Sequence, residues 1–457
     1  MPTQRKPVSF AFQGFRGRGV VASFNGGAIT SNAGALLLGR AGRSTRLFER
    51  VAACFTDHRD PRFTEHALPT LVAQRIVGLA LGHEDLNDHD QLRHDPVVGL
   101  LSGKLEGTRK DCAALAGKST LNRLEHAPEG EPGRYHRIGH DAEALQDLLP
   151  VLFTESWSDP PPSRLVLDID CTDIQVHGRQ QGRAFHGYYD HYCLLPPYIF
   201  CGHHPLAAVL RPGNADPAEG VTERLGRIIA LIRRRWPRVE ILVRADSAYA
   251  REELMAFCER ENIHYVIGLA KNKRLTARIQ PELAAAKASS LRRNRPARRF
   301  GDFSHSTRES WSRARRVVAK AEHLPGKANP RFVVTSLPER TASSRTVYER
   351  IYCPRGEAEN AIKEQQLDLF AARTSATPTG ANQLRLLFSA FASVLTARVR
   401  YALDHTRLAR ATAGSLRLKL LKIGARVSVS ARRVAIAMDS HHPFQAEFAR
   451  VHASFPT

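Results

Sequence analysis

Two short apolar runs, each leading to an aspartate, most strongly constrain what this chain can fold into. Residues 165–169 lead to Asp170, and residues 239–245 lead to Asp246. Runs of this length and composition are typical of strands buried within a sheet. Between them, residues 221–236 place their apolar side chains on one helical face. Strands that alternate with helices at this spacing predict an α/β fold with a parallel or mixed sheet.

The acids at the ends of these strands form the first candidate site. Asp168 and Asp170 stand two residues apart on one strand, so both point to the same face of the sheet. Asp246 follows the second strand, and α/β sheets place their chemistry at the carboxyl ends of strands. Grouped carboxylates suit a hard cation such as Mg²⁺. An aspartate at a strand end is also commonly a turn residue or a helix cap, and the residues alone leave both interpretations open.

A third acid lies on a helix that is predicted to begin near Pro354, because proline is tolerated in a first helical turn. Arg355, Glu359 and Lys363 follow at positions i, i+4 and i+8, and Tyr352 lies near the upper end of their stripe. The stripe places a carboxylate between two cations. A solvated helix with ordinary i,i+4 pairs has the same pattern, so Glu359 gains weight only together with the two strand-end aspartates.

The charge of the chain favours a polyanionic partner. Sixty-seven Lys and Arg stand against 45 Asp and Glu, which gives a net charge of +22. Lys and Arg that neutralise phosphates release counterions, so nucleic acid is the leading partner class. A membrane surface competes, but the most apolar stretch, residues 386–397, is shorter than the roughly 20 residues that span a bilayer. Seven widely spaced cysteines without a C-x-x-C motif predict reduced thiols in the cytoplasm.

The acidic motifs together resemble the DDE transposases of bacterial insertion sequences. They are Leu-Asp-Ile-Asp-Cys-Thr-Asp at Asp170, Arg-Ala-Asp-Ser at Asp246, and Tyr-x2-Arg-x3-Glu at Glu359. The last is similar to the Y-x2-R-x3-E-x6-K signature of that group. Longer phrases resemble the insertion-sequence 1380 family, and they cover residues 84–90, 92–96, 185–190, 267–272, 359–364 and 382–386. The resemblance extends from about residue 20 to residue 405.

This resemblance implies a ribonuclease-H-like core with an insertion between Asp246 and Glu359. It implies two divalent metal ions, Mg²⁺ or Mn²⁺, held by Asp170, Asp246 and Glu359. Asp170 is preferred as the first ligand because Asp-Cys-Thr resembles the Asp-x-Thr of the family; Asp168 is the reserve, and Asp173 is less favoured. The implied reaction cuts the inverted-repeat ends of an element in double-stranded DNA and transfers the 3′-OH ends to target DNA. A homodimer follows because two ends are joined in concert.

The same resemblance divides the chain into five predicted segments. They are a mainly helical N-terminal DNA-binding and dimerisation domain (1–155), the first part of the catalytic core (160–275), a basic insertion subdomain (276–345), a second part of the core that carries Glu359 (346–405), and a basic helical C-terminal region (406–457). The charge pattern supports the division, since residues 271–320 contain fifteen Lys or Arg and three acids.

Candidate DNA contacts lie beside Glu359. Arg355 and Lys363 are predicted to hold phosphates near the cut. Tyr352 is predicted to position a phosphate or to stack on a displaced base, and a core tyrosine is equally consistent with the pattern. The lysine of the family signature would fall at Gln366, so Lys363 is the candidate to supply that cation.

The insertion is predicted to bind the DNA backbone through its basic residues. Arg298 and Arg299 are the leading candidates, and Trp311 is predicted to stack on a base. The other basic candidates are Arg292, Arg293, Arg295, Arg313, Arg315 and Arg316. The alternative is a solvated charged face with a partly buried tryptophan.

Two other ligands are not supported by the motifs. Gly117-Lys118-Ser119 lacks the glycine that a phosphate-binding loop needs at position 112, where Cys112 stands, so no nucleotide cofactor is predicted. The His and Cys residues of 186–204 lack the compact spacing of a zinc site and predict a hairpin with buried Cys. The competing functions are a non-catalytic DNA-binding protein derived from a transposase and a nuclease without strand transfer.

Overall fold

The computed structural model describes residues 8–157 and 162–456, which form two compact units. The first unit combines residues 8–127, 131–139 and 398–456, and the second combines residues 128–130 and 140–397 apart from the gap. The predicted segment boundary at 155–160 runs into residues 158–161, which lie outside the described chain.

Strands and helices are both abundant in the described residues, and the fold is mixed α/β, as predicted. The strands are β1 Ser9–Phe15, β2 Arg18–Ser23, β3 Ala28–Thr30, β4 Phe55–Asp57, β5 Ile138–His140, β6 Arg164–Cys171, β7 Ile174–Gln175, β8 Ala184–His186, β9 His191–Leu194, β10 Pro197–Cys201, β11 His204–Ala208, β12 Glu240–Ala245, β13 His264–Leu269, β14 Ala297–His305, β15 Arg315–Leu324, β16 Lys327–Ala328, β17 Arg331–Thr335, β18 Ala425–Val429 and β19 Val434–Met438.

The α-helices follow the same numbering along the chain. They are α1 Leu36–Arg43, α2 Leu47–Ala52, α3 Leu68–Ala80, α4 His89–Leu92, α5 Pro96–Leu101, α6 Lys118–Glu125, α7 Ala142–Glu155, α8 Val221–Arg235, α9 Glu252–Arg260, α10 Lys273–Arg278, α11 Gln280–Arg293, α12 Gly356–Asp368, α13 Thr379–Ala402, α14 Ala413–Leu416 and α15 Gln445–Ala453. A π-helical turn, Thr346–Tyr352, and a 3₁₀ turn, Cys353–Arg355, lead directly into α12.

The second unit is built on a nine-stranded mixed sheet. The strand order is β11-β10-β6-β12-β13-β17-β15-β14, and β16 pairs with β15. The strands β6, β12 and β13 run parallel, whereas β10 is antiparallel to both β6 and β11. The two strands with terminal aspartates, β6 and β12, are therefore direct neighbours that end at the same edge.

Side chains pack on both faces of this sheet because successive residues of a strand point to opposite faces. Ile241 and Val243 of β12 belong to one core cluster, together with Leu225 and Ile229 of α8. Leu242 of the same strand belongs to a second cluster on the other face. The helical stripe predicted for residues 221–236 is confirmed, because its apolar side chains are the ones that α8 buries.

The basic segment 276–345 contributes to the main sheet. It forms α11 and the strands β14 to β17, and β17 pairs antiparallel with β13. In β15, Val317 and Ala319 face one core cluster and Val318 faces the other. The apolar alternation between the basic residues thus extends the sheet on both faces.

The first unit includes both ends of the described chain. Residues 8–30 form strands, and helices predominate from residue 36 to residue 127. The predicted helical C-terminal region is wrong at β18 and β19, which pair with each other and, through β18, with β3. Their sequence has a strand period, since Ala425 and Val427 are buried while Arg426 and Ser428 are exposed.

The long helix α13 contains the most apolar stretch of the chain. Leu387, Phe388 and Phe391 are at most 1% exposed, so this stretch is a core element, as its length predicts. Among the residues that the structure describes, no helix is long and apolar enough to cross a membrane.

Candidate active site

The strand β6 places the first predicted acids. Leu167 and Ile169 point into the core, so Asp168 and Asp170 share the opposite face. Asp170 is the penultimate residue of β6 and pairs with Tyr198 of the neighbouring antiparallel strand. Its carboxylate therefore lies where the strand ends and the sheet opens to a cavity.

The neighbouring strand β12 places the second acid. Ala245 pairs with Ile169 in the parallel ladder, so Asp246 follows at the same edge as Asp170. The Oδ1 atom of Asp246 accepts a hydrogen bond from the backbone N–H of Ala248 at 2.9 Å. This contact is a cap of the short 3₁₀ turn Ser247–Tyr249, and it leaves the other carboxylate oxygen free of that cap.

The third acid comes from a helix that packs on the sheet. The helix α12 buries Ala358 and Ile362 and contacts β6 and β10. Glu359 lies in its first turn, and 46% of the Glu359 side chain is exposed. The first turn of α12 therefore reaches the same cavity as the two aspartates.

One cavity of about 700 Å³ brings the predicted acids together. Asp170, Asp246 and Glu359 all line it, and so do the predicted phosphate ligands Arg355 and Lys363. The remaining lining residues are Cys171, Thr172, His186, Tyr188, Tyr189, Leu195, Pro217, Ala248 and Ile362. Three carboxylates separated by 76 and 113 positions in the chain thus converge on one space.

Arg355 links two of these carboxylates. Its Nη1 atom donates to Oδ2 of Asp170 at 2.8 Å, and its Nη2 atom donates to Oε1 of Glu359 at 2.6 Å. Burial raises the pKa of Asp170 to about 6; Arg355 opposes this rise, and the negative charges of Asp246 and Glu359 add to it. The cavity thus concentrates negative charge that a cation stabilises.

The donor set fits a divalent cation in its chemistry, because all three groups are carboxylate oxygens. In residues 8–157 and 162–456, however, no three His, Cys, Asp or Glu side chains are grouped closely enough to hold a metal ion. The guanidinium of Arg355 lies between Asp170 and Glu359 and supplies the positive charge there.

Asp168, the reserve metal ligand, has a different environment. Both of its oxygens accept hydrogen bonds from Arg244, at 2.6 and 2.7 Å. A third Arg244 nitrogen donates to the carbonyl oxygen of Ile351 at 2.9 Å. The Asp168 side chain is only 4% exposed and does not line the cavity. Its pair with Arg244 ties β6 and β12 to the turn that precedes α12.

Tyr352 packs against Gly268 of β13, the strand beside β12. A Cβ atom at Gly268 would come within 2.5 Å of the Tyr352 hydroxyl and 3.0 Å of the Ser247 amide, so only glycine leaves room for the ring. The Tyr352 hydroxyl lies near the guanidinium of Arg355, and burial raises the pKa of Tyr352. Tyr352 is therefore packed beside Asp246, where it supports the position of Arg355.

The predicted DNA contacts of the basic segment lie in two environments. Arg299 is exposed on β14, and Arg298 beside it pairs with Glu349 at 3.0 Å and with Glu322 at 3.1 Å. Trp311 is 8% exposed and lies 5.6 Å from the guanidinium of Arg315 in a cation–π contact. A base could stack on Trp311 only if these core contacts opened.

Sequence reasoning did not identify Arg244 or the tyrosines of the cavity. Arg244 stands in an apolar run, and its partner is 76 positions away, so only the pairing of β6 with β12 reveals it. Tyr188 and Tyr189 lie in a phrase that was used for the family resemblance alone. Two adjacent aromatic residues beside a turn glycine were the available signal.

The comparison with protein families agrees with this arrangement. Residues 12–457 match the family model described as transposase DDE domain group 1. The chain therefore belongs to the DDE transposase domain group 1 family. No curated protein matches the chain.

Proposed function

We propose that this chain is a DNA transposase that cuts the ends of an insertion sequence and transfers the freed 3′-OH ends to target DNA. The observation that supports this proposal most directly is that Asp170, Asp246 and Glu359 line one cavity in a chain of the DDE family. The net charge of +22 supports a DNA partner. A homodimer belongs to the proposal, since two ends must be joined together.

The fold of the proposed catalytic core is ribonuclease-H-like. The strand order β11-β10-β6-β12-β13, with an antiparallel start followed by parallel strands, supports this assignment. The acids lie on the first strand, after the next parallel strand and on a following helix. Residues 276–345 are then the insertion, although their strands continue the same sheet.

In this proposal Asp170, Asp246 and Glu359 would hold two divalent ions, Mg²⁺ or Mn²⁺. When bound, such ions activate a water or a 3′-OH and stabilise the leaving oxygen of a phosphodiester. The protein itself orients the strand: Arg355 and Lys363 bind phosphate oxygens as DNA enters the cavity. Arg355 exchanges a carboxylate for a phosphate in this step, and Tyr352 limits its range of positions.

Asp168 has a positioning role in the proposal. Its two hydrogen bonds to Arg244 are complete without any ion, and the third Arg244 contact holds the turn before α12. A carboxylate already paired at both oxygens is a poorer metal ligand than Asp170. The pair instead fixes the spacing between β6, β12 and the helix of Glu359.

The test uses DNA with the inverted repeats that flank the gene. We expect Asp246→Asn and Glu359→Gln to lose Mg²⁺-dependent cleavage and to keep DNA binding. Glu357→Gln is the matched control, because Glu357 lies on the same helix turn, is exposed, and does not line the cavity. Undiminished cleavage by both site variants would overturn the site. Binding without cleavage by the natural chain would favour a non-catalytic derivative, and cleavage without joined products would indicate a nuclease.

A further inference from the structure

A short hairpin formed by β8 and β9 reaches the rim of the cavity. His186 pairs with His191, so residues 187–190 form a four-residue turn. The backbone N–H groups of Tyr189 and Asp190 both donate to the carbonyl oxygen of His186, at 3.1 and 2.9 Å. These two bonds fix the backbone of the turn, which limits the entropy lost when a ligand binds there.

Tyr189 forms an aromatic support under the tip of this hairpin. Its ring stacks on His191 with centroids 6.0 Å apart and lies 4.9 Å from the ring of His186. The Nε2 atom of His191 is 2.7 Å from a carboxylate oxygen of Asp173, and Gln366 of α12 donates to the Asp173 carbonyl oxygen at 3.1 Å. The aromatic support is therefore anchored both to the segment after β6 and to the helix of Glu359.

Tyr188 packs on the ring of Tyr189 and faces the cavity. Its ring contacts Tyr189 edge to face at 5.0 Å, and the Tyr188 residue is 85% exposed. It lines the same cavity as Asp170 and Asp246. An anchored aromatic ring with an open face thus stands beside the candidate reaction centre.

The chemistry of the cavity indicates what this ring binds. A phosphate that enters a recess lined by carboxylates must leave the regular path of a duplex, and the neighbouring base then loses a stacking partner. An aromatic side chain replaces that partner without regard to base identity. The guanidinium of Arg355 is already bonded to Asp170 and Glu359, and Lys363 has no planar group that could stack on a base.

On the basis of the function proposed above, we propose that Tyr188 stacks on an unpaired base next to the scissile phosphate. Tyr189 and His191 are positioning residues that hold Tyr188 at the rim. The ligand class is a nucleobase of the DNA strand in the cavity, and the contact is non-covalent.

The test is a double-mutant cycle between protein and DNA, measured as affinity in the non-cutting Asp246→Asn background. The probe is a duplex of the inverted-repeat end with a frayed cut site, either intact or with one abasic nucleotide beside that site. We expect Tyr188→Ala to weaken binding of the intact probe by about 10- to 100-fold. The abasic nucleotide should cause a similar loss with Tyr188 present and no further loss in the alanine variant.

Two variants separate stacking from other effects. Tyr188→Phe keeps the ring and should restore most of the affinity, which a role of the hydroxyl group alone would not allow. Tyr192→Ala is the matched control, because Tyr192 lies on β9 of the same hairpin, is 46% exposed and does not line the cavity; the DNA affinity of this variant should stay unchanged. Independent, additive losses from Tyr188→Ala and from the abasic nucleotide, or no loss in Tyr188→Ala, would overturn the proposal. Cleavage by the natural chain is scored separately, so coupled losses without cleavage would retain stacking and reject the transposase activity.

Discussion

Two carboxylate–arginine contacts on the same face of β6 differ in their exposure to solvent and in how many carboxylate oxygens the arginine binds. Asp168 and Arg244 are 4% and 8% exposed, and both carboxylate oxygens are bonded to the one guanidinium. Two residues further on, Asp170 offers one oxygen to Arg355, which it shares with Glu359. The first contact is a closed pair inside the protein, whereas the second is part of an open cavity wall.

In the proposed function, this difference separates a structural contact from one that takes part in the reaction. Removal of one partner from a buried ion pair strongly destabilises the fold, because the remaining charge is neither paired nor solvated. A shared arginine at a cavity can release one carboxylate and take a phosphate instead. The proposed role of a carboxylate therefore depends less on its position along the strand than on whether its arginine partner can leave it for a phosphate.

The largest expected effect is on catalysis at Asp170. We expect Asp170→Asn to reduce Mg²⁺-dependent cleavage by about a thousandfold or more, because a metal contributes several kcal/mol to the transition state. Asp168→Asn should retain far more activity per folded molecule. Single-turnover cleavage, corrected for the folded fraction, measures both. Equal losses in the two variants would remove the distinction between the pairs.

The next effect is on stability at Arg244. Arg244→Met leaves the Asp168 carboxylate buried without a partner and should lower the free energy of unfolding by about 3–5 kcal/mol. Arg355→Met should cost less, because Asp170, whose pKa burial already raises, can take up a proton when the arginine is removed. Urea denaturation followed by fluorescence compares them. A larger loss in Arg355→Met would contradict the account.

A third effect concerns pH. Because burial raises the pKa of Asp170 from 3.8 to about 6, the folded state binds this proton more tightly than the unfolded state. Its ionisation therefore destabilises the fold as the pH rises from about 4 to about 6. Relative to the natural chain, Asp170→Asn should gain up to about 3 kcal/mol across this interval and stay level above it. Metal-free denaturation at several pH values measures the difference, and a gain on acidification would have the wrong sign.

The smallest effect is expected at the rim of the cavity. Lys363→Ala should reduce the salt dependence of DNA affinity by about one unit in the slope of log K against log salt, as for one lost phosphate contact. Lys363→Arg keeps the charge and serves as the control, with an unchanged slope. Binding isotherms at four salt concentrations suffice, and identical slopes for all three proteins would exclude this contact.

Local patterns predicted the parts of the site that depend on one element at a time. The strand before Asp170, the strand before Asp246 and the stripe of α8 are each visible as a periodicity, and the structure has these elements. The Arg355–Glu359 contact follows from helical spacing and is also present. The joint position of the three acids remained a proposal from resemblance until the strand order placed β6 beside β12.

Features that depend on distant partners were not predictable in this way. The strands β14 and β15 border the main sheet, because β17 pairs with both β13 and β15, and no local signal specifies that pairing. The helical prediction for residues 406–457 is wrong at β18 and β19, because β18 pairs with β3 near the other end of the described chain. A role for Tyr188 cannot be predicted from its own segment, because three other segments complete the cavity that it lines.

The most direct test maps a bound cation onto the chain. Fe²⁺ is substituted for Mg²⁺, hydrogen peroxide is added, and backbone cuts by locally produced hydroxyl radicals are located by mass spectrometry. The account predicts cuts close to residues 170, 246 and 359 in one protein, and their joint loss in Asp246→Asn. Cuts that cluster elsewhere, or that persist near residues 170 and 359 in that variant, would contradict a single cation site formed by these three acids.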